Sequence, residues 1–393
     1  MARQALAALG TSIFSEMTRL ANERGAVNLS QGFPDFDGPP EIVDGAVAAL
    51  RGGQNQYGRS MGLPALVEQI AAHQRRWWGL SYDAMSEVCA CAGATEGIAA
   101  AMLGLLEAGD EVVLFEPFYD GYPATVAMAG ATARVVTLRA PHFRIDESAL
   151  RAVLTERTRM IVVNSPHNPS GRVLTVDELD VIARVCVERD LLALSDEVYE
   201  HLVFAGARHV PLASRPGMRE RTVTLSSTGK TFSFTGWKVG WATGPAPLIA
   251  CVQRAHQFLT FCAATPLHAA MATALERMQG PFFDALLADY TARRDFLVST
   301  LREVGFAPFV PEGTYFVLCD LRELTDEDDV VFARRLIDEA GVAAIPPSVF
   351  YTHAKDEGRR LLRFAFCKRE QTLDEAARRL RAWQRTRPAE RRP

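Results

Sequence analysis

Between residues 88 and 243, two hydrophobic patterns take turns along the chain. Short continuous apolar runs predict strands that are covered on both faces, and apolar positions with helical spacing predict helices between them. The predicted strands are Val88–Ala92, Glu111–Phe115, Arg134–Leu138, Met160–Asn164, Leu191–Ser195, Thr222–Ser226 and Val239–Thr243, and the predicted helices are Glu96–Glu107, Asp120–Ala129 and Val176–Glu188. This alternation predicts an α/β fold whose mostly parallel seven-stranded sheet is covered by helices.

The pattern changes near Gly280, where a long amphipathic helix begins. The predicted elements that follow are the helix Phe282–Val304, the strand Thr314–Cys319, the helix Asp329–Ala340, the strand Leu361–Phe366 and the helix Leu373–Trp383. Residues 1–45, rich in glycine and proline between Gly32 and Pro40, are predicted to form an arm that packs on this segment or on a second subunit. The predicted boundaries are 1–45 for the arm and part of a small α+β domain, 46–283 for the large domain, and 284–393 for the C-terminal small domain.

The composition of the chain disfavours nucleic acid and membranes as its binding partners. The chain has 393 residues, 48% hydrophobic and 23% charged, with a formal charge of -4. This is ordinary globular composition without the basic surface that nucleic acid or an anionic membrane requires. The longest run without a formal charge, Ala255–Leu275, contains Pro266 and two histidines, so it is not typical of a membrane span. The seven cysteines are an odd number without recognisable zinc spacing, so we expect a cytoplasmic protein without a metal.

Polar residues follow several predicted strands, where open α/β sheets bind their ligands. Gly93–Gly97 suits a phosphate at a helix N-terminus, although a simple turn with a threonine cap fits equally well. Asn164–Gly171, taken alone, is best explained as a proline- and glycine-rich turn. Asp196, in the segment that continues to Tyr199, is costly at the end of a buried strand unless it is paired or caps a helix.

Three interpretations compete for Ser226–Thr231. A nucleotide-binding P-loop would need glycine at position 224, where Thr224 stands. The pair Ser227 and Lys230 has the spacing of acyl-serine enzymes, but their companion motifs are missing. The third interpretation is a Schiff-base lysine beside small hydroxyl residues that bind a phosphate. Further along, Arg363 interrupts an apolar strand and needs a partner, either a substrate carboxylate or a structural salt bridge.

The order of these motifs resembles that of the fold type I, pyridoxal-phosphate-dependent aminotransferases of the aspartate aminotransferase superfamily. The motifs are Gly93-Ala-Thr-Glu96, Pro117-Phe-Tyr119, Asn168-Pro-Ser-Gly171, Ser195-Asp-Glu-Val-Tyr199, Ser226-Ser-Thr-Gly-Lys230, Gly236-Trp-Lys-Val-Gly-Trp241 and Arg363-Phe-Ala-Phe366. The resemblance extends from Phe14 to the last helix. Through Val27–Phe36 and Asn55–Tyr57 the chain is most similar to the kynurenine, glutamine and methionine aminotransferases, and it also resembles bacterial N-succinyldiaminopimelate aminotransferases.

The resemblance implies pyridoxal 5′-phosphate as the cofactor and gives its contacts. Lys230 would form the Schiff base and move the proton at the substrate Cα, while Asp196 would pair with the pyridine nitrogen. Tyr199 and Asn168 would hydrogen-bond the oxygen on the ring, and Tyr119 would stack on the ring face. The phosphate would be held by Ala94, Thr95, Ser227 and Lys238.

The resemblance also implies how the substrate is bound. Arg363 and Asn168 would clamp the α-carboxylate, with the backbone of Gly32 nearby. Phe14 and Phe261 would line the side-chain pocket, and Phe261 would come from the partner chain. Tyr57 would reach the phosphate of the neighbouring subunit, so a homodimer with shared active sites is expected.

The predicted function is an aminotransferase that moves the α-amino group of an aromatic, methionine-like or glutamine-like donor to a 2-oxo acid by a ping-pong mechanism. Two alternatives on the same cofactor stay open: an N-succinyldiaminopimelate aminotransferase and a cysteine-S-conjugate β-lyase. A nucleotide hydrolase is disfavoured because the first P-loop glycine is absent.

Overall fold

A computed structural model describes residues 13–204 and 206–386. Its α-helices are α1 (Ile13–Arg24), α2 (Pro40–Arg51), α3 (Pro64–Trp78), α4 (Gly93–Leu105), α5 (Gly121–Ala129), α6 (Glu147–Ala152), α7 (Val176–Glu188), α8 (Thr228–Thr231), α9 (Ala246–Leu259), α10 (Thr265–Arg277), α11 (Gly280–Glu303), α12 (Asp329–Ala340), α13 (Lys355–Gly358) and α14 (Glu370–Thr386). The strands are β1 (Val27–Asn28), β2 (Val88–Cys91), β3 (Glu111–Glu116), β4 (Thr132–Thr137), β5 (Thr158–Asn164), β6 (Leu192–Asp196), β7 (Thr222–Ser227), β8 (Gly240–Thr243), β9 (Ala307–Phe309), β10 (Phe316–Asp320), β11 (Val342–Ala343) and β12 (Leu361–Ala365). Short 3-10 helices cover Leu212–Ser214, Thr235–Trp237 and Pro347–Phe350.

The seven strands predicted between residues 88 and 243 form one sheet, in the order β2-β8-β7-β6-β5-β3-β4. Neighbours from β7 to β4 run parallel, and β8 is antiparallel to both β2 and β7. The predicted α/β fold with a mostly parallel seven-stranded sheet is therefore confirmed.

Alternate residues of the central strands are buried in separate clusters on the two faces of this sheet. Val112 belongs to the cluster beneath α4 and α9, whereas Val113 belongs to the cluster with α7. Both side chains are 0% exposed. Burial of one such side chain contributes about 1.5 to 3 kcal/mol, which explains why these strands are apolar at every position.

The C-terminal part has its own antiparallel sheet, in the order β12-β10-β9. The N-terminal strand β1 pairs in parallel with β11, and α1, α12 and α14 share one buried cluster with this sheet. The domain boundaries predicted at 45/46 and 283/284 stay a prediction. Residues 1–12 of the predicted arm and residues 387–393 of the predicted C-terminal domain lie outside the described residues. Among the described helices, none combines the length and apolar character needed to cross a membrane.

Candidate active site

The parallel strands bring three polar residues to one edge of the large sheet. In the register of β5 and β6, Asn164 lies opposite Asp196, and Asp196 in turn pairs with Leu225 of β7. The last residue of β7, Ser227, lies opposite Gly240 of the antiparallel strand β8. The carboxyl ends of neighbouring parallel strands are where such sheets bind ligands, so this edge is the candidate active site.

Asp196 is held at this edge by hydrogen bonds and is only 5% exposed. The Tyr122 hydroxyl donates to its Oδ2 at 2.6 Å, and the Val198 amide donates to its Oδ1 at 3.3 Å. Burial raises the pKa of Asp196, and the Tyr122 hydrogen bond and the Lys230 charge oppose that rise. Within the described ranges no cationic side chain lies within 4.0 Å of the carboxylate. A buried carboxylate of this kind suits a cationic ligand group such as a protonated ring nitrogen.

Lys230 lies in the short helix α8, directly after β7. Its Nζ donates to the Tyr315 hydroxyl at 3.0 Å and to the Gly32 carbonyl oxygen at 3.4 Å. Burial lowers the pKa of Lys230 to about 8; the Asp196 charge raises it, and the charges of Lys238 and Arg363 lower it further. With this pKa about a tenth of the amine is neutral and nucleophilic at pH 7, and about half of it at pH 8, far more than for an ordinary lysine.

Two tyrosine rings flank this amine. Tyr199 is buried, and its ring centroid lies 5.8 Å from the Lys230 Nζ. Tyr315 meets Tyr199 edge to face at 5.1 Å and donates from its hydroxyl to the Gly32 carbonyl oxygen at 2.5 Å. Tyr315 therefore connects the lysine to the N-terminal segment.

The first turn of α4 and Lys238 form a small cationic cradle. The N-cap residue Ala92 offers no side-chain cap, and the turn includes the predicted phosphate ligands Ala94 and Thr95. Gly93 has φ +77°, and a Cβ on it would lie 3.1 Å from both Cε and Nζ of Lys238. No carboxylate of the described chain lies within 4.0 Å of the Lys238 amine. Free N–H groups and an unpaired cation at a helix N-terminus suit a phosphate.

Two further side chains near the cradle, those of Ser227 and Glu96, form hydrogen bonds with other groups of the protein. The Ser227 Oγ accepts a hydrogen bond from the Gly229 amide at 3.2 Å, at the start of α8. Glu96, whose charge would oppose an anion, is turned to the Ala92 amide and to His256, both at 3.0 Å. Its carboxylate is thus engaged by protein groups.

Tyr119 lies between the cradle and Asp196. Its partly buried ring meets Tyr122 edge to face at 5.6 Å. Burial raises the pKa of the Tyr119 phenol, and a hydrogen bond with Thr95 opposes that rise. Because Thr95 belongs to the cradle and Tyr122 bonds Asp196, the Tyr119 ring borders the space that the predicted cofactor would occupy.

Arg363 is 1% exposed and has no acidic partner within 4.0 Å among the described residues. Its Nη1 donates to the Asn168 Oδ1 at 2.8 Å, and its Nη2 donates to the Ser30 carbonyl oxygen at 3.4 Å. Its Nε is buried without a hydrogen-bond partner. Burial lowers the pKa of Arg363 to about 10. A buried guanidinium with unused donors is a receptor for a carboxylate ligand.

Aromatic rings surround this arginine. The guanidinium carbon lies 3.9 Å from the Phe316 ring centroid, 5.0 Å from that of Phe350 and 5.4 Å from that of Phe14. Gly32 packs against the same group, since a Cβ on it would approach the Phe316 ring to 2.6 Å. The structure thus brings Phe14, Gly32, Asn168 and Arg363 together.

Tyr57 and Phe261 lie elsewhere. They meet each other edge to face at 5.1 Å on the surface, where Tyr57 is 83% exposed and Phe261 is 51% exposed. No hydrogen bond or ring contact joins either residue to Lys230 or Arg363 in the described parts of the chain. In a single chain, therefore, these two predicted site residues stand apart from the others.

Sequence reasoning missed two groups at the site, Tyr122 and Tyr315. A signal existed for Tyr122, because a carboxylate at a buried strand end demands a donor and this tyrosine lies in the helix that follows β3, a parallel strand of the same sheet. The sequence carries no comparable signal for Tyr315, whose partners Gly32 and Lys230 are far away along the chain.

Comparison with known proteins identifies the family. The family described as "Aminotransferase class I and II" matches residues 24–380. The chain is 50% identical over 380 residues to the probable N-succinyldiaminopimelate aminotransferase of Mycobacterium tuberculosis, covering 94% of this chain and 95% of that protein. It is 42% identical over 373 residues to the methionine aminotransferase of Escherichia coli, with 95% and 96% covered.

A solved structure agrees with these matches. The N-succinyldiaminopimelate aminotransferase from Mycobacterium tuberculosis superimposes with a TM-score of 0.95 at 49% identity, over 98% of this chain and all of that chain. The chain therefore belongs to the class I and II aminotransferases and is an enzyme, a transferase of amino groups. Enzymes of this family use pyridoxal 5′-phosphate.

Proposed function

We propose that this class I and II aminotransferase moves the α-amino group of an aromatic, methionine-like or glutamine-like amino acid to a 2-oxo acid, in two half-reactions at one site. The observation that carries the proposal is Arg363 of β12, a buried guanidinium with no acidic partner among the described residues. Its Nη1 donates to Asn168, beyond the end of β5, and its charge lowers the pKa of Lys230. A residue of this kind selects a ligand with a carboxylate next to the reacting amine.

The residues present fit pyridoxal 5′-phosphate. The glycine-lined cradle at Lys238 suits its phosphate, and the buried carboxylate of Asp196 suits its ring nitrogen. The amine of Lys230 suits its aldehyde. When bound, the cofactor supplies an aldehyde that joins to an amino group and a cationic ring that withdraws electrons from the amino acid Cα.

The chain's own residues supply binding and proton movement. Arg363 and Asn168 bind the α-carboxylate and thereby orient the Cα–H bond of the substrate. The Lys230 Nζ, with a pKa of about 8, takes up and returns that proton near neutral pH. Tyr315 and the Gly32 carbonyl oxygen accept hydrogen bonds from this Nζ and hold it in position.

Asp196 and Tyr199 complete the proposed catalytic set with Lys230. Tyr122 stabilises the ionised form of the buried Asp196 carboxylate, since its hydrogen bond opposes the rise in pKa that burial causes. Tyr199 is proposed to donate from its hydroxyl to the oxygen on the cofactor ring, together with the Asn168 amide. Ala94, Thr95 and Ser227 are proposed to bind the phosphate beside Lys238, and Tyr119 to cover the ring face.

The donor side chain is inferred from the groups around Arg363. Phe14, Phe316 and Phe350 form an apolar, aromatic surround. Such a surround favours apolar or weakly polar side chains over a second carboxylate. This supports an aromatic, methionine-like or glutamine-like donor.

The proposed functional unit is a homodimer. Tyr57 and Phe261 are exposed aromatic residues beside a cleft of about 490 Å³, and nearby Phe258 is 86% exposed. Contiguous exposed aromatic side chains are typical of a surface that another protein covers. In the proposed dimer Tyr57 binds the phosphate and Phe261 lines the donor pocket of the partner's site.

A complementation experiment tests this sharing. Lys230→Ala and Tyr57→Ala chains, each impaired alone, are mixed under conditions that exchange subunits. If the site is shared, the mixed dimer contains one intact site and the mixture recovers about a quarter of the wild-type activity. If the subunits are shown to have exchanged and the mixture still has no activity, the site is not shared.

A second candidate function is an N-succinyldiaminopimelate aminotransferase, favoured by the 50% identity to the mycobacterial protein of that name. One screen separates the two. The enzyme loaded with pyridoxal phosphate is mixed with single amino donors, and the loss of its visible absorbance is followed. Rapid loss with methionine, glutamine or kynurenine supports the first candidate, whereas rapid loss with N-succinyldiaminopimelate alone supports the second.

We also propose a cytoplasmic location. All seven cysteines are free thiols, four of the seven on strands of the two main sheets or next to them. Free thiols throughout a chain are typical of a reducing compartment.

A further inference from the structure

A second cluster of chemically active side chains lies directly after the catalytic turn. Glu200 and His201 follow Tyr199, and His73 of α3 packs against them. The Nε2 atoms of His73 and His201 are 3.1 Å apart, and the His73 Nε2 lies 3.6 Å from the Glu200 Oε1. One nitrogen or oxygen from each residue lies within 4.8 Å of the others. Nothing in the transamination mechanism uses these three groups.

The surroundings hold two of the three groups in place. The Trp78 indole N–H and the Ser226 hydroxyl each donate to one oxygen of Glu200, both at 2.5 Å. The His201 ring is stacked on Phe283 with centroids 4.0 Å apart. Outer hydrogen bonds and ring packing of this kind orient the ligands of metal sites.

The cluster also has access to solvent. A cleft of about 370 Å³ opens beside it, lined by Trp77, Trp78, His201, His209 and Phe283 among others. His201 is partly exposed and lines this cleft together with the buried Glu200, whereas His73 is buried behind them. The cleft provides an entry path and room for a water molecule as a further ligand.

We propose that His73, Glu200 and His201 bind a divalent transition-metal cation of the zinc class, with a fourth position open to the cleft. In a tetrahedral zinc site the bonds of about 2.0 to 2.2 Å place neighbouring ligand atoms about 3.3 to 3.6 Å apart. The observed separations of 3.1 and 3.6 Å bracket that spacing. Two imidazoles and one carboxylate favour zinc over magnesium or calcium, which prefer oxygen ligands alone.

The described chain has a second group of possible metal ligands, Cys89, Cys91 and His256. This group is less suited to bind the cation. Both ring nitrogens of His256 are already engaged, Nδ1 with Glu96 at 3.0 Å and Nε2 with the Ser60 carbonyl oxygen at 2.9 Å. A cation there would have to displace a bond to a group outside the ligand set, whereas the Nε2 atoms of His73 and His201 contact only each other and Glu200 among the described residues. At the first cluster, by contrast, the bound cation would link α3 to the turn that carries Asp196 and Tyr199.

The test uses the holoenzyme, freed of metal by a chelator and of excess cofactor by dialysis. It is equilibrated with Zn²⁺, and bound zinc is measured by atomic absorption; a parallel sample receives Co²⁺. We expect about one zinc per chain and the intense visible bands of four-coordinate cobalt without thiolate charge-transfer bands. Absence of bound zinc, or a cobalt spectrum dominated by thiolate, overturns the proposal.

Three variants locate the bound cation. His201→Gln and His73→Gln each remove one ligand. Loss of a group that only hydrogen-bonds a metal ligand lowers metal affinity by up to about 100-fold, so loss of a ligand itself should lower zinc affinity by at least about 100-fold. His209→Gln is the matched control, because His209 lines the same cleft but bonds Glu197 at 3.0 Å, and it should keep the wild-type affinity. Wild-type affinity in His201→Gln, whose partly exposed position favours correct folding, overturns the proposal even if His73→Gln fails to fold.

Discussion

The hydroxyl of Tyr122 donates a 2.6 Å hydrogen bond to Oδ2 of Asp196, across 74 positions of sequence. It is the shorter of the two hydrogen bonds to this carboxylate that we describe. It also opposes the rise in the pKa of Asp196 that burial causes. Among the described residues the Tyr122 hydroxyl has no hydrogen bond to Arg363, Asn168 or Lys238, so its contribution acts through Asp196. We therefore treat Tyr122 as a positioning residue.

Tyr122→Phe is expected to lower kcat about 10- to 100-fold, since a hydrogen bond to a charged group contributes about 1.5 to 3 kcal/mol. Its second signature is spectroscopic: the absorbance of the bound cofactor should titrate at a different pH, because Asp196 is less well held in its ionised form. Tyr82→Phe, in a different buried cluster, is the control. An unchanged kcat and an unchanged titration in Tyr122→Phe would show that Asp196 does not depend on this bond.

Arg363→Lys keeps the positive charge but removes the planar fork, so KM for amino acids should rise about 10- to 100-fold. Amines without an α-carboxylate should react at the wild-type rate, and steady-state kinetics with both substrate types measures the contrast. Arg360→Lys is the matched control, because Arg360 bonds only the carbonyl oxygens of Thr325 and Glu327 among the described residues. Equal losses for both substrate types would contradict the carboxylate clamp.

Gly93→Ala should weaken cofactor binding about 10- to 100-fold, the effect of losing about one charge-assisted contact. The new methyl group would lie 3.1 Å from the Lys238 Nζ and displace it. Gly79→Ala is a close control, since Gly79 has a similar φ of +69° but nothing within 4 Å of the added carbon. Both variants should lose a similar amount of stability, but only Gly93→Ala should lose the cofactor in equilibrium dialysis.

The strand ends of the large sheet could be predicted from the sequence, because fully buried parallel strands are continuous apolar runs. The start of α4 is placed less well: the apolar pattern predicts it at Glu96, but the helix begins at Gly93, whose positive φ lets the chain turn into the helix three residues earlier. Along the C-terminal part, the helix Asp329–Ala340 was predicted with its observed bounds.

Some residues of the site could likewise be predicted from the sequence, and others could not. Asp196 and Ser227 end their strands and Lys230 lies in the short helix directly after β7, so their meeting at one sheet edge follows from topology. The contacts of Tyr315 depend on how the C-terminal sheet packs on the N-terminal segment, and no local pattern encodes that packing. The closeness of His73 to Glu200 likewise comes from the packing of α3 and could not be read from residue spacing.

The lowered pKa of Lys230 predicts how the stability of the apo-protein depends on pH. Lys230 titrates near 8 in the folded chain, below its ordinary value of 10.5, so between these values the unfolded chain binds more protons and stability rises with pH. Below pH 8 the folded chain bears the full cost of a buried ammonium group. Lys230→Met should therefore stabilise the apo-protein at pH 7 by about 1 to 3 kcal/mol and remove this part of the slope.

Urea unfolding of the two apo-proteins between pH 7 and pH 10.5 measures that difference, because all other groups titrate in both. The stability curves should converge as the pH approaches 10.5. Parallel curves across the range would mean that Lys230 has an ordinary pKa in the folded chain.

Lys230 is proposed to carry the cofactor, and the chain allows a direct test because it has only four lysines, Lys230, Lys238, Lys355 and Lys368. Borohydride reduction of the holoenzyme fixes the cofactor onto the amine it has joined, and peptide mass spectrometry then locates it. We predict one pyridoxyl phosphate group per chain, on the peptide that contains Lys230. Modification of Lys238, Lys355 or Lys368 with Lys230 unmodified would contradict the account.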